Sequence, residues 1–206
     1  MERLKPAFVL ALTTGLRLGE ILALKWSDID FEKKILTVKR TILRARTYGS
    51  TETTTSLIVN EVKTPNSIRI VPLAEITLEE LKKHKEAQEK EKEQAGAGYI
   101  DNDYVFCTAV GTPIDPRNFQ RTFYRIIKKA ELDINFHALR HTFATRLLES
   151  NEQPKVIQEI LGHKDISTTL NIYSHVLTEM KESVAKKIDS LFKSFLYSKE
   201  DTGSPG

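Results

Sequence analysis

GHKDISTTLNIYSH, residues 162–175, has the pattern of a helix end, a polar turn and the start of a new helix. In the new helix Ile166, Leu170 and Tyr173 are spaced four and then three residues apart, so they share one face. This spacing predicts that Tyr173 points toward the core, yet a histidine stands near each end of the stretch. Tyr173 is therefore either a packing residue or a reactive one.

Helices are predicted on both sides of this stretch. Upstream, NFHALRHTFATRLLES carries a core stripe of Leu139, Phe143 and Leu147, and QPKVIQEIL begins at a proline and stops at Gly162, which suits a left-handed C-cap. Downstream, residues 176–196 have apolar side chains at three- and four-residue spacings, which indicates an amphipathic helix that ends the fold. The polar residues 198–206 are predicted to be a disordered tail.

Further upstream, FQRTFYRIIKK belongs to a helix that Asp115 caps and whose positive and apolar side chains separate. The apolar side chains gather on one side, and no acidic residue lies between positions 116 and 130. This basic face is either simply solvated or follows a phosphate backbone. Its members are Arg117, Arg121, Arg125 and Lys128.

The first half of the chain predicts helices followed by strands. Apolar helices are expected at 4–15, stopped by Gly15, and at 18–26. Runs rich in Val, Ile and Thr at 35–43, 55–62 and 67–73 predict a small antiparallel sheet, and the turn KTPN places Lys63 at a hairpin tip. A charged, exposed helix at 75–94 follows. The sequence thus predicts an α+β fold that is mostly α-helical, with a small three-stranded antiparallel sheet beside a helical core.

Composition limits the class of protein. A chain of 206 residues, 40% hydrophobic, can bury a core as one large or two small domains. We expect no membrane span and no export, and a bacterial cytoplasm as the location, because no long apolar run or secretory pattern is present. The single Cys107 excludes an internal disulfide and is expected to be a buried small hydrophobe. The net charge of +3 fits nucleic acid only if the positive groups cluster.

The helix from residue 137 concentrates polar side chains in its first turn. His137, Arg140 and His141 would lie away from the apolar stripe, where a helix N-terminus already favours an anion. This arrangement suggests a phosphate site. The alternative is structural, with histidines that cap the helix and a salt bridge from Arg140. A zinc site at His137 and His141 is disfavoured because the segment lacks an HExxH pattern, so no metal is expected.

The sequence resembles the catalytic domain of tyrosine recombinases, the phage and conjugative-transposon integrase family. The resemblance covers about residues 5–178 and lies in four strings that occur in the family's order. The strings are TTGLRLGEILALKWSDID, KTPNSIRIVPL, HALRHTFATRLLES and LGHKDISTTLNIYSHV. The abrupt start in an apolar helix adds the expectation that upstream DNA-binding domains are absent, so that residues 1–197 form the catalytic domain.

The resemblance implies a site in which Tyr173 attacks a DNA phosphate to form a 3′-phosphotyrosyl link. It implies that Arg17 and Arg140 clamp the phosphate, that His137 accepts the phenol proton and that His163 adds a hydrogen bond. It further implies that Lys63 protonates the leaving 5′-oxygen, although a lysine at a hairpin tip is often only solvated. Glu20, three residues after Arg17, either orients that guanidinium or forms a minor surface pair.

The resemblance also implies the partners. Double-stranded DNA is the substrate, no metal, ATP or other cofactor is needed, and the location is at the bacterial nucleoid. On DNA, the resemblance implies a homotetramer whose subunits exchange their C-terminal helices. Without DNA, it implies a monomer or weak oligomer. Packing of the C-terminal helix within its own chain is equally open. Two other functions remain open: a topoisomerase of type IB, and an accessory module that binds DNA through Arg117–Lys128 without catalysis.

Overall fold

The computed structural model describes residues 2–46, 55–61 and 68–197, without the side chains of residues 2, 46, 173, 175–183, 185–186 and 194–197. These ranges hold helices α1 (Lys5–Thr14), α2 (Leu18–Leu22), α3 (Glu75–Ala95), α4 (Pro116–Lys129), α5 (His137–Glu149), α6 (Pro154–Leu161) and α7 (Ile166–Tyr197). The strands are β1 (Ile29–Asp30), β2 (Ile35–Val38), β3 (Arg40–Arg46), β4 (Thr55–Glu61) and β5 (Arg69–Pro72).

The first two helices meet at Gly15. Gly15 adopts φ 64° and its N–H donates to the carbonyl of Ala11 at 3.0 Å, so α1 ends where the sequence predicts. The second helix is shorter than predicted and ends at Leu22. The chain leaves the helix because it pairs with a later segment: the Trp26 N–H donates to the Asp103 carbonyl, and the Leu24 carbonyl accepts from Val105, both at 2.9 Å.

The strands form two small antiparallel sheets. One has three strands in the order β1, β2, β5, and the other is a ribbon of β3 and β4. The mostly α-helical α+β class is confirmed, but the predicted single run at 35–43 divides at Lys39 into strands of different sheets. At this break the buried carboxylate of Asp28 binds both the Lys39 ammonium, at 3.3 Å, and the Arg40 guanidinium.

The core has a larger and a smaller part. In the larger, the rings of Phe119 and Phe123 on α4 lie 5.5 Å and 5.3 Å from the ring of Phe136, and Phe8 of α1 contacts the same group. In the smaller, Ala144 and Leu148 of α5 pack against Ile157 and Leu161 of α6. Helices α1, α4, α5 and α6 therefore hold one another, and the loops at their ends are fixed in place.

Helices α5 and α7 differ in part from the predicted faces. In α5, Leu139 is buried as predicted, but Phe143 and Leu147 are only half-buried, and the fully buried residues are Ala144 and Leu148. The two helices predicted after residue 165 are the single helix α7. Ile166 and Leu170 are exposed at 37% and 40%, and the buried residue of that segment is Thr169. Packing through Thr169 turns the helix, so the predicted stripe of Ile166 and Leu170 is wrong.

Two predictions about single residues are confirmed. Asp115 caps α4 by accepting from the Arg117 N–H at 2.8 Å, and Cys107 is buried. Lys63 and residues 198–206 lie outside the described residues. In the part of the chain that the structure describes, no helix has both the length and the apolar character needed to cross a bilayer.

Gly15 provides a test of how α1 meets α5 and α6. A Cβ at this position would lie 2.6 Å from both Leu161 Cδ2 and Phe143 Cδ1, and the left-handed backbone alone costs a non-glycine residue about 1–2 kcal/mol. We expect Gly15→Ala to lower the free energy of unfolding by more than that amount in urea denaturation. Gly98→Ala is the control, because nothing lies within 4 Å of its added Cβ. Equal stability of the two variants would contradict this packing.

Candidate active site

Arg140 is a buried cation at the junction of three helices. Its side chain leaves α5 with 3% of the residue exposed, and its two terminal nitrogens donate to the carbonyls of Gly15 and Leu161, each at 2.7 Å. These carbonyls lie at the C-terminal ends of α1 and α6, where helix dipoles concentrate partial negative charge. Its Nε is buried without a hydrogen-bond partner among the described atoms.

Arg17 also reaches the C-terminal end of α6. It precedes α2 and is less buried, with 44% of its side chain exposed. One terminal nitrogen donates to the Leu161 carbonyl at 3.5 Å, and the other donates to the Gly162 carbonyl at 3.3 Å. The guanidinium groups of Arg17 and Arg140 therefore converge on one carbonyl oxygen, that of Leu161.

Glu20 holds both the backbone and the side chain of Arg17. Its carboxylate accepts from the Arg17 backbone N–H at 2.8 Å and from the Arg17 Nη1 at 3.1 Å. It also receives both terminal nitrogens of Arg69, at 3.0 Å and 2.7 Å. Only 9% of Glu20 is exposed, so the interpretation as a minor surface pair is wrong and the orienting role is supported by the contacts.

Arg69 is a site residue that sequence reasoning missed. It lies in β5 between Ile68 and Ile70, and alternation would place such an arginine in solvent and the isoleucines inside. The structure reverses this: Ile68 and Ile70 are exposed at 44% and 59%, and the Arg69 side chain at only 13%. The signal that could have found it is Val71, which shares the face of Arg69 and is fully buried.

The two histidines of α5 are on the surface beside Arg140. The rings of His137 and His141 lie edge to face with centroids 4.9 Å apart. Burial, together with the charges of His141, Arg140 and Arg17, lowers the pKa of His137. Capping of α5 falls to Asn135, whose side chain accepts from the Ala138 N–H at 3.0 Å. The alternative of capping histidines and an Arg140 salt bridge is therefore wrong.

His163 follows the left-handed Gly162 at the end of α6, where φ is 65°. Its Nδ1 hydrogen-bonds the hydroxyl of the buried Thr169 at 2.9 Å, which fixes the ring plane. Burial and the nearby charges of Arg140 and Arg17 lower the pKa of His163 to about 4. The imidazole is consequently neutral at pH 7.

The converging cations also act on Arg140 itself. Burial and the charges of Arg17 and Arg69 lower the pKa of Arg140 to about 9, with Glu20 opposing the change. Arg140 is still charged at pH 7. A cluster of positive groups that lowers the pKa of Arg140, His137 and His163 has electrostatics that favour an anion.

Two recesses flank Arg17. The smaller, about 200 Å³, is lined by polar and apolar side chains: Leu16, Arg17, Leu18, Gln120, Phe136, His137 and Arg140. The larger is a groove of about 810 Å³ between β5 and α6, lined in part by Arg69, Gly162 and His163. The structure thus gathers Arg17, His137, Arg140 and His163 around the end of α6.

The remaining site predictions lie elsewhere or outside the description. Lys63 is outside the described residues, and Tyr173 belongs to α7 by its backbone while its side chain is not described. Arg117, Arg121, Arg125 and Lys128 are all exposed on α4. Among the described side chains, no three His, Cys, Asp or Glu residues are gathered closely enough to hold a metal.

The family of the chain follows from comparison with known proteins. A family model described as "Phage integrase family" matches residues 1–180. The chain is 42% identical over 196 residues to a tyrosine recombinase XerC-like protein of Caldanaerobacter subterraneus subsp. tengcongensis, covering 93% of this chain and 50% of that protein. It is 33% identical to the ICEBs1 integrase of Bacillus subtilis, covering 91% and 49%.

Solved structures agree with the sequence comparison. The Tn1549 transposon integrase in complex with transposon right end DNA matches with a TM-score of 0.69 and 27% identity, covering 87% of this chain and 58% of that one. The XerA recombinase matches with a TM-score of 0.63 and 28% identity, covering 88% and 56%. The chain belongs to the phage integrase family and has the tyrosine recombinase catalytic domain that the sequence motifs indicate. It spans about half the length of the curated relatives it matches.

Proposed function

We propose that this chain is the catalytic domain of a site-specific DNA recombinase, which cuts and rejoins DNA through a 3′-phosphotyrosyl intermediate. The observation that carries the proposal is the convergence of Arg17 and Arg140 on the Leu161 carbonyl, in a chain of the phage integrase family. Two guanidiniums that meet at one point form a cradle in which both can bind a single phosphodiester group. His137 lines the smaller recess together with Arg17 and Arg140, and His163 lines the larger recess on the other side of Arg17.

The two arginines stabilise the charge that develops during the reaction. When the phenol oxygen attacks phosphorus, negative charge grows on the non-bridging oxygens, and the planar guanidinium forks can bind them with paired hydrogen bonds. A charge pair at about 4 Å is worth on the order of 4 kcal/mol at an effective dielectric of about 20, before desolvation. Arg140 is held in advance by two helix ends, so little reorganisation accompanies the reaction.

The two histidines have different roles, one toward the proton of Tyr173 and one toward the phosphate. A phenol has a pKa near 10, so only about one molecule in a thousand is ionised at pH 7, a deficit of roughly 4 kcal/mol. His137, whose pKa is lowered, is neutral at pH 7 and can accept that proton as a general base. His163 is held by Thr169 at its Nδ1, so its Nε2–H can donate a hydrogen bond to the phosphate.

Tyr173 and Lys63 complete the reaction on the evidence of the family motifs. A bond forms between the Tyr173 oxygen and phosphorus, and the bond between phosphorus and the 5′-oxygen breaks. The leaving oxygen keeps the electron pair and takes a proton from Lys63. A second 5′-hydroxyl reverses these steps and reseals the strand, so the bond energy is conserved and neither ATP nor a metal is required.

The same proposal covers the partners. The exposed cations of α4, Arg117, Arg121, Arg125 and Lys128, would follow the backbone of double-stranded DNA next to the cradle, since Gln120 of the same helix lines the smaller recess. On α7, Val184, Ile188 and Phe192 are 49%, 48% and 57% exposed on one face. This face would dock on a neighbour in a homotetramer on DNA, and the chain alone would be a monomer or weak oligomer. The location would be the bacterial nucleoid.

The two other functions are not favoured. Relatives at 42% and 33% identity are a recombinase-like protein and an integrase, which argues against a topoisomerase of type IB. An accessory module that only binds DNA would have no use for a buried arginine held by two helix ends beside a second arginine.

The nucleophile is tested by trapping the covalent intermediate. Incubated with a nicked recombination-site duplex, the full-length protein should form a protein–DNA adduct that survives denaturation. Tyr173→Phe should form none, because the attacking oxygen is absent. Tyr99→Phe is the matched control and should form the adduct, since the Tyr99 hydroxyl contacts Cys107 instead of the cradle. An adduct from Tyr173→Phe, or none from the unaltered protein, would contradict the proposal.

The basic face of α4 is tested by charge reversal. Arg121→Glu with Arg125→Glu should weaken binding to a duplex, and each lost phosphate contact should reduce the slope of log affinity against log salt by about 0.9. Lys82→Glu with Lys90→Glu makes the same change in net charge on the exposed side of α3 and should bind nearly normally. Equal losses from the two double variants would remove the α4 face from the model.

A further inference from the structure

Arg69 occupies an unusual position for a cation. It pairs with Val38 across the sheet and points to the same side of β5 as Val71. Val38 and Val71 are both buried. Its two terminal nitrogens bind both oxygens of Glu20, at 3.0 Å and 2.7 Å. Replacing such a buried pair by apolar residues is often neutral or stabilising, so stability alone does not account for an arginine here.

The rest of the Arg69 side chain reaches the end of α6. Its Nε donates to the Ile160 carbonyl at 2.8 Å, one residue before the carbonyl that receives Arg17 and Arg140. Its stem lies against Gly162, where an added Cβ would come within 3.0 Å of the Arg69 Cδ. Arg69 therefore fixes the turn from which His163 extends.

Glu20 transmits the effect of Arg69 to Arg17. Burial raises the pKa of Glu20, but the hydrogen bonds and charge of Arg69 and the contacts of Arg17 outweigh burial, so the net shift is downward. The carboxylate stays ionised and holds both the backbone N–H and the guanidinium of Arg17. Arg17 is 44% exposed, and without this anchor its long side chain would have many conformations.

We propose that Arg69 is a positioning residue of the phosphate cradle, which aims Arg17 through Glu20 and holds the turn of His163 through the Ile160 carbonyl. This inference rests on the proposed recombinase function. It connects β5, through Glu20 and the Ile160 carbonyl, to the groups that are proposed to bind the phosphate.

A charge-neutral substrate distinguishes positioning from mere stability. In a methylphosphonate, a methyl group replaces one non-bridging oxygen, so the transition state carries one negative charge fewer and needs less from the guanidiniums. Misplacement of Arg17 should therefore slow adduct formation on the normal phosphodiester much more than on the methylphosphonate. A general loss of folded protein would slow both substrates equally.

The variant is Arg69→Lys in the full-length protein. An ammonium keeps the charge but cannot bind both Glu20 oxygens and the Ile160 carbonyl together. Adduct formation on the phosphodiester should fall on the order of 10- to 100-fold, the cost of a small misplacement. The loss on the methylphosphonate should be several-fold smaller. Arg40→Lys is the matched control: the Arg40 side chain is also 13% exposed and is paired with a buried carboxylate, that of Asp28, and the ratio of the two rates should not change.

A double-variant cycle tests the route through Glu20. Glu20→Gln should give the same signature as Arg69→Lys, and the combined variant should lose little more than the larger single loss, because both changes release Arg17. Equal losses on the two substrates, a changed ratio in Arg40→Lys, or fully multiplicative losses would overturn the inference. Absence of an adduct from the unaltered protein would overturn the proposed function and this inference with it, whereas a normal Arg69→Lys ratio would overturn the inference alone.

Discussion

The burial of the Arg140 guanidinium is the constraint on which the arrangement depends. Removing such a cation from water costs several kcal/mol, and its two hydrogen bonds to helix-end carbonyls offset this cost at about 1.5–3 kcal/mol each. Both acceptors, Gly15 and Leu161, must therefore lie at fixed places. Because Gly15 ends α1 and Leu161 ends α6, the packing of those helices against α5 also determines where the Arg140 charge lies.

The remaining charges are arranged around that fixed cation. Arg17 shares its Leu161 acceptor, and like charges so close would repel without a carboxylate nearby. Glu20 supplies the carboxylate, and Arg69 keeps it ionised and in place. Burial, together with the charges of Arg140 and Arg17, lowers the pKa values of His137 and His163 beside this cluster. An anion in the cradle would relieve the repulsion, which is why the geometry points to a phosphate.

Sequence patterns predicted much of the fold because they report local preferences. The glycines at 15 and 162, the N-cap at Asp115 and the proline at the first position of α6, Pro154, marked helix ends correctly. The shortened α2 and the divided run at 35–43 were missed because both depend on pairing with distant segments, around Tyr104 and at Asp28. Periodicity also misjudged Ile166 and Leu170, since the first turns of α7 bury Thr169, which hydrogen-bonds His163, instead of those apolar residues.

The candidate site could be predicted only as separate pieces. Motif order brought Arg17, His137, Arg140 and His163 together as candidates, but the sequence gives no sign that Arg140 is buried against carbonyls instead of paired with an acid. Arg69 was missed because alternation in IRIV places the two isoleucines inside and the arginine in solvent, which is the reverse of the structure. Buried ion pairs of this kind are tertiary features, and no local pattern encodes them.

The most direct measurement is the pKa of His163, followed by NMR with and without inorganic phosphate at constant ionic strength. We expect a pKa near 4 in the free chain, because burial and the converging charges of Arg140 and Arg17 oppose protonation. The pKa of His163 should rise clearly when phosphate fills the cradle and compensates those charges. A pKa near the ordinary value of about 6.5 that phosphate leaves unchanged would contradict the convergence of the two guanidiniums beside His163.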